Sequence, residues 1–178
     1  MQGLPPAATA LLEQAARTRS YPKGAHILRV GETCRNSYII LSGIARKFTV
    51  VGDKEVTTDF YFPQDVAVSF RSYISQQPGT EAIECLTPVT VSVLEYAAFQ
   101  AAKQQYPELL ALDLLLTELY AAWLEERLED QYRLSAAARY AKLLQQSPHL
   151  LQHIQLSHIA SFLGISQATL SRIRAAHT

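Results

Sequence analysis

The segment Gln155-Leu-Ser-His-Ile-Ala-Ser-Phe-Leu-Gly-Ile-Ser-Gln-Ala-Thr-Leu-Ser-Arg-Ile-Arg174 can pack on itself in few ways. Two short helical runs, Gln155–Leu163 and Gln167–Ala175, flank the break Gly164-Ile165-Ser166. Helices joined so tightly must cross closely, and Ala160 supplies the small residue at the crossing. Gly164, four residues later, tolerates the positive φ that a sharp turn needs. Ser166 is a good N-cap for the second run. Ile159 and Leu163 line the first run where Leu170 and Ile173, three apart, line the second. An ordinary helical hairpin would not need this combination, so the segment is predicted to be a helix-turn-helix. Gln155 stands where Ser or Thr commonly caps the first helix, which leaves Ser157 as an alternative cap and a later start.

A helix-turn-helix places the N-terminal part of its second helix in the DNA major groove. With Leu170 and Ile173 turned inward, Gln167, Ala168, Ser171, Arg172 and Arg174 point outward. Gln can pair with adenine and Arg with guanine in bidentate fashion, so Gln167 and Arg172 are the expected base readers. Arg172 bound to phosphate alone would position the protein without reading sequence. Ser166, Thr169 and the helix N-terminus are suited to phosphate. Double-stranded DNA is therefore the expected partner.

The charge distribution fits that partner only after it is divided. The whole chain has 16 Lys+Arg against 16 Asp+Glu, a formal charge of zero. Residues 131–178 hold Arg133, Arg139, Lys142, Arg172 and Arg174 and no acidic residue, a net of +5. Residues 1–130 hold 11 basic and 16 acidic residues, a net of −5. His149, His153, His158 and His177 add to the positive side when protonated. A basic module is the electrostatic footprint of duplex DNA. No thiolate or carboxylate lies near these histidines, so no metal site is expected.

The rest of the 178-residue chain changes character twice. Residues Leu4 to Arg19 suggest a short helix with Ala8, Leu11, Leu12 and Ala15 on one stripe. From Tyr21 to about Tyr96, short runs rich in Val, Ile, Thr, Phe and Tyr alternate with turns: Ala25–Val30, Ser37–Leu41, Ala45–Val51, Glu55–Phe62, Glu81–Leu86 and Thr90–Glu95. That rhythm predicts an antiparallel sandwich or barrel. From Tyr96 onward the signals are helical. Pro107–Leu134 carries two apolar stripes: Leu109, Leu112, Leu116, Leu119 and Trp123, and Leu110, Leu114, Ala121, Leu124 and Leu128. Two stripes predict a helix covered on two sides, by its own domain and by a second subunit. A core helix in a monomer is the alternative. Leu112, Leu116, Leu119 and Trp123 are the expected dimerisation residues. Ser135–Gln146 forms a further helix before the break Ser147-Pro148.

The expected fold class is α+β: an N-terminal antiparallel double-stranded β-helix (jelly roll), a long dimerisation helix and a C-terminal helix-turn-helix. The expected divisions are 1–106, 107–134 and 135–178. No run of apolar residues is long enough to span a membrane, and Met1 to Ala16 has acidic Glu13 and no basic stretch of a signal peptide. A cytoplasmic protein is expected. Cys34 and Cys85 are too few for a disulfide framework, a four-thiolate zinc site or an iron–sulfur cluster, and read as small buried hydrophobes. No catalytic residues, metal or cofactor are expected. A cupin-type enzyme needs converging His and carboxylate ligands, and the strand region offers only His26. Haem sensing would draw on His26, Cys34 and Cys85.

The whole chain resembles the Crp/Fnr family of bacterial transcription regulators. Lys23-Gly24, Gly31-Glu32, Tyr38-Ile-Ile-Leu-Ser-Gly43 and Phe62-Pro63-Gln64-Asp65 are similar to that family's turn and strand markers, in order. Ile159 to Ser166 and Leu170 to Arg174 are similar to its DNA-binding end. The resemblance implies a cyclic-nucleotide-binding-like sensor, a dimerisation helix and a helix-turn-helix acting on a palindromic operator. Half-site centres would lie about 34 Å apart. RNA polymerase is a candidate further partner, and the effector is unknown. Cyclic-AMP binders of the family carry Gly-Glu and Arg-Ser/Thr pairs in a phosphate-binding cassette. Here Ala67 and Val68 stand near the first pair, and Thr80 and Glu81 near the second. An acidic side chain where an anion should sit is unfavourable, so the cassette reads as degenerate. A cyclic-nucleotide sensor using Arg71 is the rival of the same architecture; a protein-interaction module is the rival of another class. The sequence ends four residues after Arg174, with no evident full wing, which predicts modest affinity and strong salt dependence.

Overall fold

A computed structural model describes residues 4–147 and 154–176. Eight strands form two four-stranded antiparallel sheets. In chain order they are β1 (Arg17–Tyr21), β2 (His26–Leu28), β3 (Asn36–Ser42), β4 (Ala45–Val51), β5 (Lys54–Tyr61), β6 (Val66–Ala67), β7 (Glu81–Cys85) and β8 (Val89–Glu95). One sheet has the order β1-β8-β3-β6, the other β2-β7-β4-β5. The alternation is legible in β8, where Val89, Val91 and Val93 are buried and Thr90, Ser92 and Leu94 are only half-buried. With Ile40, Ile83 and Tyr38, these valines fill the space between the sheets. Gly43 makes the β3–β4 turn at φ +87°, where a Cβ would run into the Pro88 carbonyl. This is the expected jelly-roll architecture.

Three details depart from expectation. The first helix, α1 (Pro6–Ala15), is shorter than predicted, and Arg17–Tyr21 is a strand paired with β8. Its first four residues are exposed, so β1 has no apolar alternation to announce it. A six-residue helix, α2 (Phe70–Ser75), interrupts the strand region. The two-residue β6 was likewise not foreseen. The predicted α1 stripe does pack: Ala8 is fully buried, with Leu11 and Leu12 beside Ala102 and Leu109.

Helix α3 (Tyr96–Gln105) leads to α4 (Pro107–Arg133), 27 residues long and so about 40 Å. Then follow α5 (Ala136–Gln146), α6 (Leu156–Phe162) and α7 (Gln167–Ala175). Ser135 caps α5 by accepting from the Ala138 amide. The two sheets differ in what lies outside them. Strand β4 is buried at Ala45, Arg46, Lys47 and Phe48 in succession, on both faces. The outer layer is the C-terminal helices: Ile44, Phe60 and Leu86 form one core with Tyr140, Leu143, Ile159, Leu163 and Leu170.

Cys34 and Cys85 are free and buried, as expected. Burial raises both thiol pKa values, that of Cys85 to about 11, which makes both inert at neutral pH. No helix among the described residues is long and apolar enough to cross a membrane.

Candidate nucleic-acid interface and its sensor junction

Helices α6 and α7 form the predicted helix-turn-helix. Gly164 adopts φ +68° in the turn. The Ile165 amide donates to the Ala160 carbonyl at 3.0 Å, closing the first helix over its small residue. Ile159, Ala160, Leu163 and Leu170 are buried, and Ile173 packs against them. Ser166 caps α7, accepting from the Thr169 amide at 3.1 Å. The start of α6 differs from one expectation: the helix begins at Leu156, directly after Gln155, so Ser157 lies inside it and is no cap.

Four of the five positions expected to point outward are exposed, and Arg174 is the exception. Ser166, Gln167, Ala168, Ser171 and Arg172 are exposed; Thr169 and Arg174 are half-buried. Arg172 donates to Thr169 Oγ1 at 3.4 Å, which draws its guanidinium over the first turn of α7. Lys142 bridges Glu126 and Asp130 of α4, each at 2.6 Å. Arg133 pairs with Glu129. Arg139 donates to the Leu134 and Leu163 carbonyls at 2.8 and 3.2 Å. Lys142, Arg133 and Arg139 are thus engaged within the fold, and α7 carries Arg172 and Arg174. His149, His153 and His177 lie outside the described residues.

Helix α6 docks on β5 of the sensor. The Thr57 amide donates to Ser161 Oγ at 2.9 Å, and that hydroxyl donates to the Glu55 carbonyl at 3.2 Å. The Phe162 ring lies 5.1 Å from that of Phe60. Buried Arg46, paired with Glu55 and Glu84, lies beside the same contact. Among the described residues, the buried Nδ1 of His158 on α6 finds no hydrogen-bond partner. Burial, and then the Arg46 charge, lower its pKa.

The candidate ligand residues differ in their surroundings. Arg71 is exposed on α2 and Thr80 is exposed in the turn before β7, where its carbonyl accepts from Thr49 Oγ1 at 3.1 Å. Glu81 instead accepts from Ser69 Oγ at 2.6 Å and lies 3.7 Å from the buried Lys47 ammonium. Lys47 gave no signal in the sequence, because a cation beside Arg46 in a strand reads as a surface residue. Among the described residues, no group of three His, Cys, Asp or Glu is placed to hold a metal. His26 packs edge-on against Phe48.

The dimerisation residues divide between the faces of α4. Trp123 faces its own subunit, stacked at 5.7 Å on Tyr120 with the Arg127 guanidinium over its ring. Leu112 is half-buried, while Leu116 and Leu119 are exposed. The second apolar stripe is exposed as well: Leu110, Leu114, Leu124 and Leu128 are 43% to 57% exposed and lie in line with Thr117 and Ala121. The steps along that line are 4, 3, 4, 3 and 4, a heptad pattern. The sequence offers two stripes of similar spacing. Trp123 of the first stripe stacks on Tyr120 of its own helix and lines a cleft with Lys47, Thr58 and Phe162.

The family model for the cyclic nucleotide-binding domain matches residues 18–106. FixK2 from Bradyrhizobium japonicum is similar in structure, with a TM-score of 0.79 at 19% identity, over 90% of this chain and 83% of that one. The Thermus thermophilus catabolite activator protein is similar with a TM-score of 0.59 at 24% identity, over 98% and 84%. The c-di-GMP responsive global regulator CLP of Xanthomonas campestris gives 0.67 at 14% identity, over 94% and 88%. No curated protein matches the sequence.

Proposed function

The chain belongs to the cyclic nucleotide-binding domain family and has the fold of the Crp/Fnr transcription regulators, and from that premise we propose that it is a sequence-specific, homodimeric DNA-binding regulator. Its family and structural neighbours are regulators rather than enzymes. The observation that carries the reading is the helix-turn-helix with an exposed polar face on α7, capped at Ser166 and turned at Gly164. Gln167 and Arg172 read bases; Ser166, Thr169 and the α7 N-terminus hold phosphate. Ala168, Ser171 and Arg174 complete the face.

Two copies pair through the heptad line Leu110, Leu114, Thr117, Ala121, Leu124 and Leu128, which puts the two α7 helices on one side of a duplex. The units are the sensor, 1–106, the long helix, 107–134, and the DNA-binding head, 135–178. The cassette is degenerate: Glu81, held by Ser69, puts a negative charge beside Lys47. Sensor and head communicate through the Ser161–Thr57 and Phe162–Phe60 contacts.

Selection from a pool of random duplexes tests the reading. An enriched inverted repeat is expected. Absence of enrichment together with a shallow salt slope would favour a protein-interaction module. Calorimetry with cyclic AMP and cyclic GMP addresses the rival sensor, which would use Arg71, exposed on α2. No heat at millimolar ligand is expected.

A further inference from the structure

Strand β5 is the outermost strand of its sheet, and the helical head closes its open edge. Strand β4 pairs with one side of β5. On the other side the Thr57 amide donates to Ser161 Oγ at 2.9 Å, and that hydroxyl donates to the Glu55 carbonyl at 3.2 Å. One hydroxyl of α6 thus satisfies two backbone groups that a neighbouring strand would otherwise take. Thr57 is also tied to the sheet, since its Oγ1 accepts from Arg46 at 3.2 Å. His158 lies three residues before Ser161, on the same side of α6.

His158 brings a titratable ring into this contact. With its proton on Nε2, the neutral ring keeps a lone pair at Nδ1. That atom is buried and finds no hydrogen-bond partner among the described residues. A second proton would put an N–H there with no acceptor, and a positive charge near Arg46. The charged groups facing the ring are Arg46 of β4, Glu84 of β7 and Glu55 of β5. The two carboxylates favour the charged ring, but buried Arg46 already holds both. Glu84 accepts from its Nε and Nη2 at 2.7 and 2.6 Å, and Glu55 accepts from Nη2. A charged ring has to compete with that guanidinium for them. His26 of β2, the cross-strand partner of Glu84, packs instead against Phe48. Burial and then the Arg46 charge outweigh the carboxylates and hold the His158 pKa below its ordinary value.

We propose that His158 is an acid-sensitive latch between sensor and head: the neutral ring lets α6 close the β5 edge, and the protonated ring loosens it. A proton favours the loosened form, in which the ring regains water. Docking is therefore at full strength above the ordinary histidine value of about 6.5 and weakens as pH falls below it. One proton per ring limits the loss to about tenfold for each pH unit. The latch rests on this contact alone; its consequence for DNA rests on the regulator reading.

The Thr57 amide reports the latch, because its acceptor belongs to the head. Its hydrogen exchange is followed by NMR in the full chain at about pH 7.5 and about pH 5.5, each rate divided by that of an unstructured peptide at the same pH. Protection of Thr57 should fall by about threefold to tenfold in acid, while the Val91 and Val93 amides of the other sheet keep theirs. In His158→Gln the loss at Thr57 should shrink to less than about twofold. His158→Leu makes the same test should His158→Gln fail to fold, which circular dichroism shows. Asp59 of β5 titrates in the same range, its pKa pushed up to about 6 by burial, but it faces Lys47 and Arg127. Asp59→Asn should therefore keep the acid loss. An unchanged Thr57 in the parent chain, an equal loss in the His158 variants, or a loss abolished by Asp59→Asn overturns the inference. The parent should also lose operator affinity in acid relative to His158→Gln. A Thr57 response without operator binding at either pH sinks only the regulator, whereas operator binding without a Thr57 response sinks only the latch.

Discussion

The paired-helix arrangement can be broken at a position chosen from the exposure of α4. Leu128 is 57% exposed in the single subunit and carries no structural duty within it. Fully burying a leucine is worth about 1.5–3 kcal/mol, so covering the exposed half in a second copy contributes about 1 kcal/mol. Two-fold symmetry counts each position twice, so Leu128→Ala should cost the dimer about 2 kcal/mol, or about 30-fold in dissociation constant. Adding Leu114→Ala doubles the loss to about 4 kcal/mol, about a thousandfold. Leu119→Ala is the contrasting variant: Leu119 is 59% exposed but lies off the heptad line, around the helix from Leu128. Its dissociation constant should stay within about threefold of the parent. Sedimentation velocity over a concentration series reads all three. Dissociation by Leu119→Ala with none by Leu128→Ala would refute the choice of face. A monomeric parent chain at all concentrations would refute pairing altogether.

Other expectations are narrower. Arg172→Ala should lose about 1–3 kcal/mol on a selected operator and much less on random duplex, measured by competition binding; equal losses would assign Arg172 to phosphate. Phe162→Ala removes a ring packed on both Phe60 and Arg127, and should raise hydrogen exchange in β5 and α6 while leaving the β1–β8 sheet protected. Asp59 has a folded-state pKa of about 6 against an ordinary 3.8, so the folded protein holds its proton more tightly than the unfolded chain. Stability should therefore fall as pH rises from about 4 to about 6 and stay lowered above that, by at most about 3 kcal/mol and less because the side chain keeps some contact with water. Asp59→Asn should recover part of this at neutral pH and none below about pH 4 in urea titrations. His158 carries the opposite sign. Its pKa is lowered by burial and by Arg46, so its contribution is present above the ordinary histidine value and lost as pH falls below it, loosening α6 from the sensor.

The parts legible in the sequence are those whose logic is local. Ala160, Gly164, Ser166, Leu170 and Ile173 each answer a demand set within a few residues, and the motif stands as read. The alternating valines of β8 are legible for the same reason. Strand β1 was not, because Arg17-Thr-Arg-Ser is exposed and its pairing with β8 is decided by residues more than 70 positions away. The surroundings of Lys47 were hidden for a stronger form of that reason, since nothing near it in the chain signals Tyr120, whose hydroxyl lies 3.4 Å from its ammonium.

The central claim is that two copies set their α7 helices into one duplex. Hydroxyl-radical footprinting of the full chain on its selected operator measures this directly. Two protected patches on one face of the duplex, with centres about 34 Å apart, are predicted. A single patch, or protection spread evenly over the fragment, would contradict it.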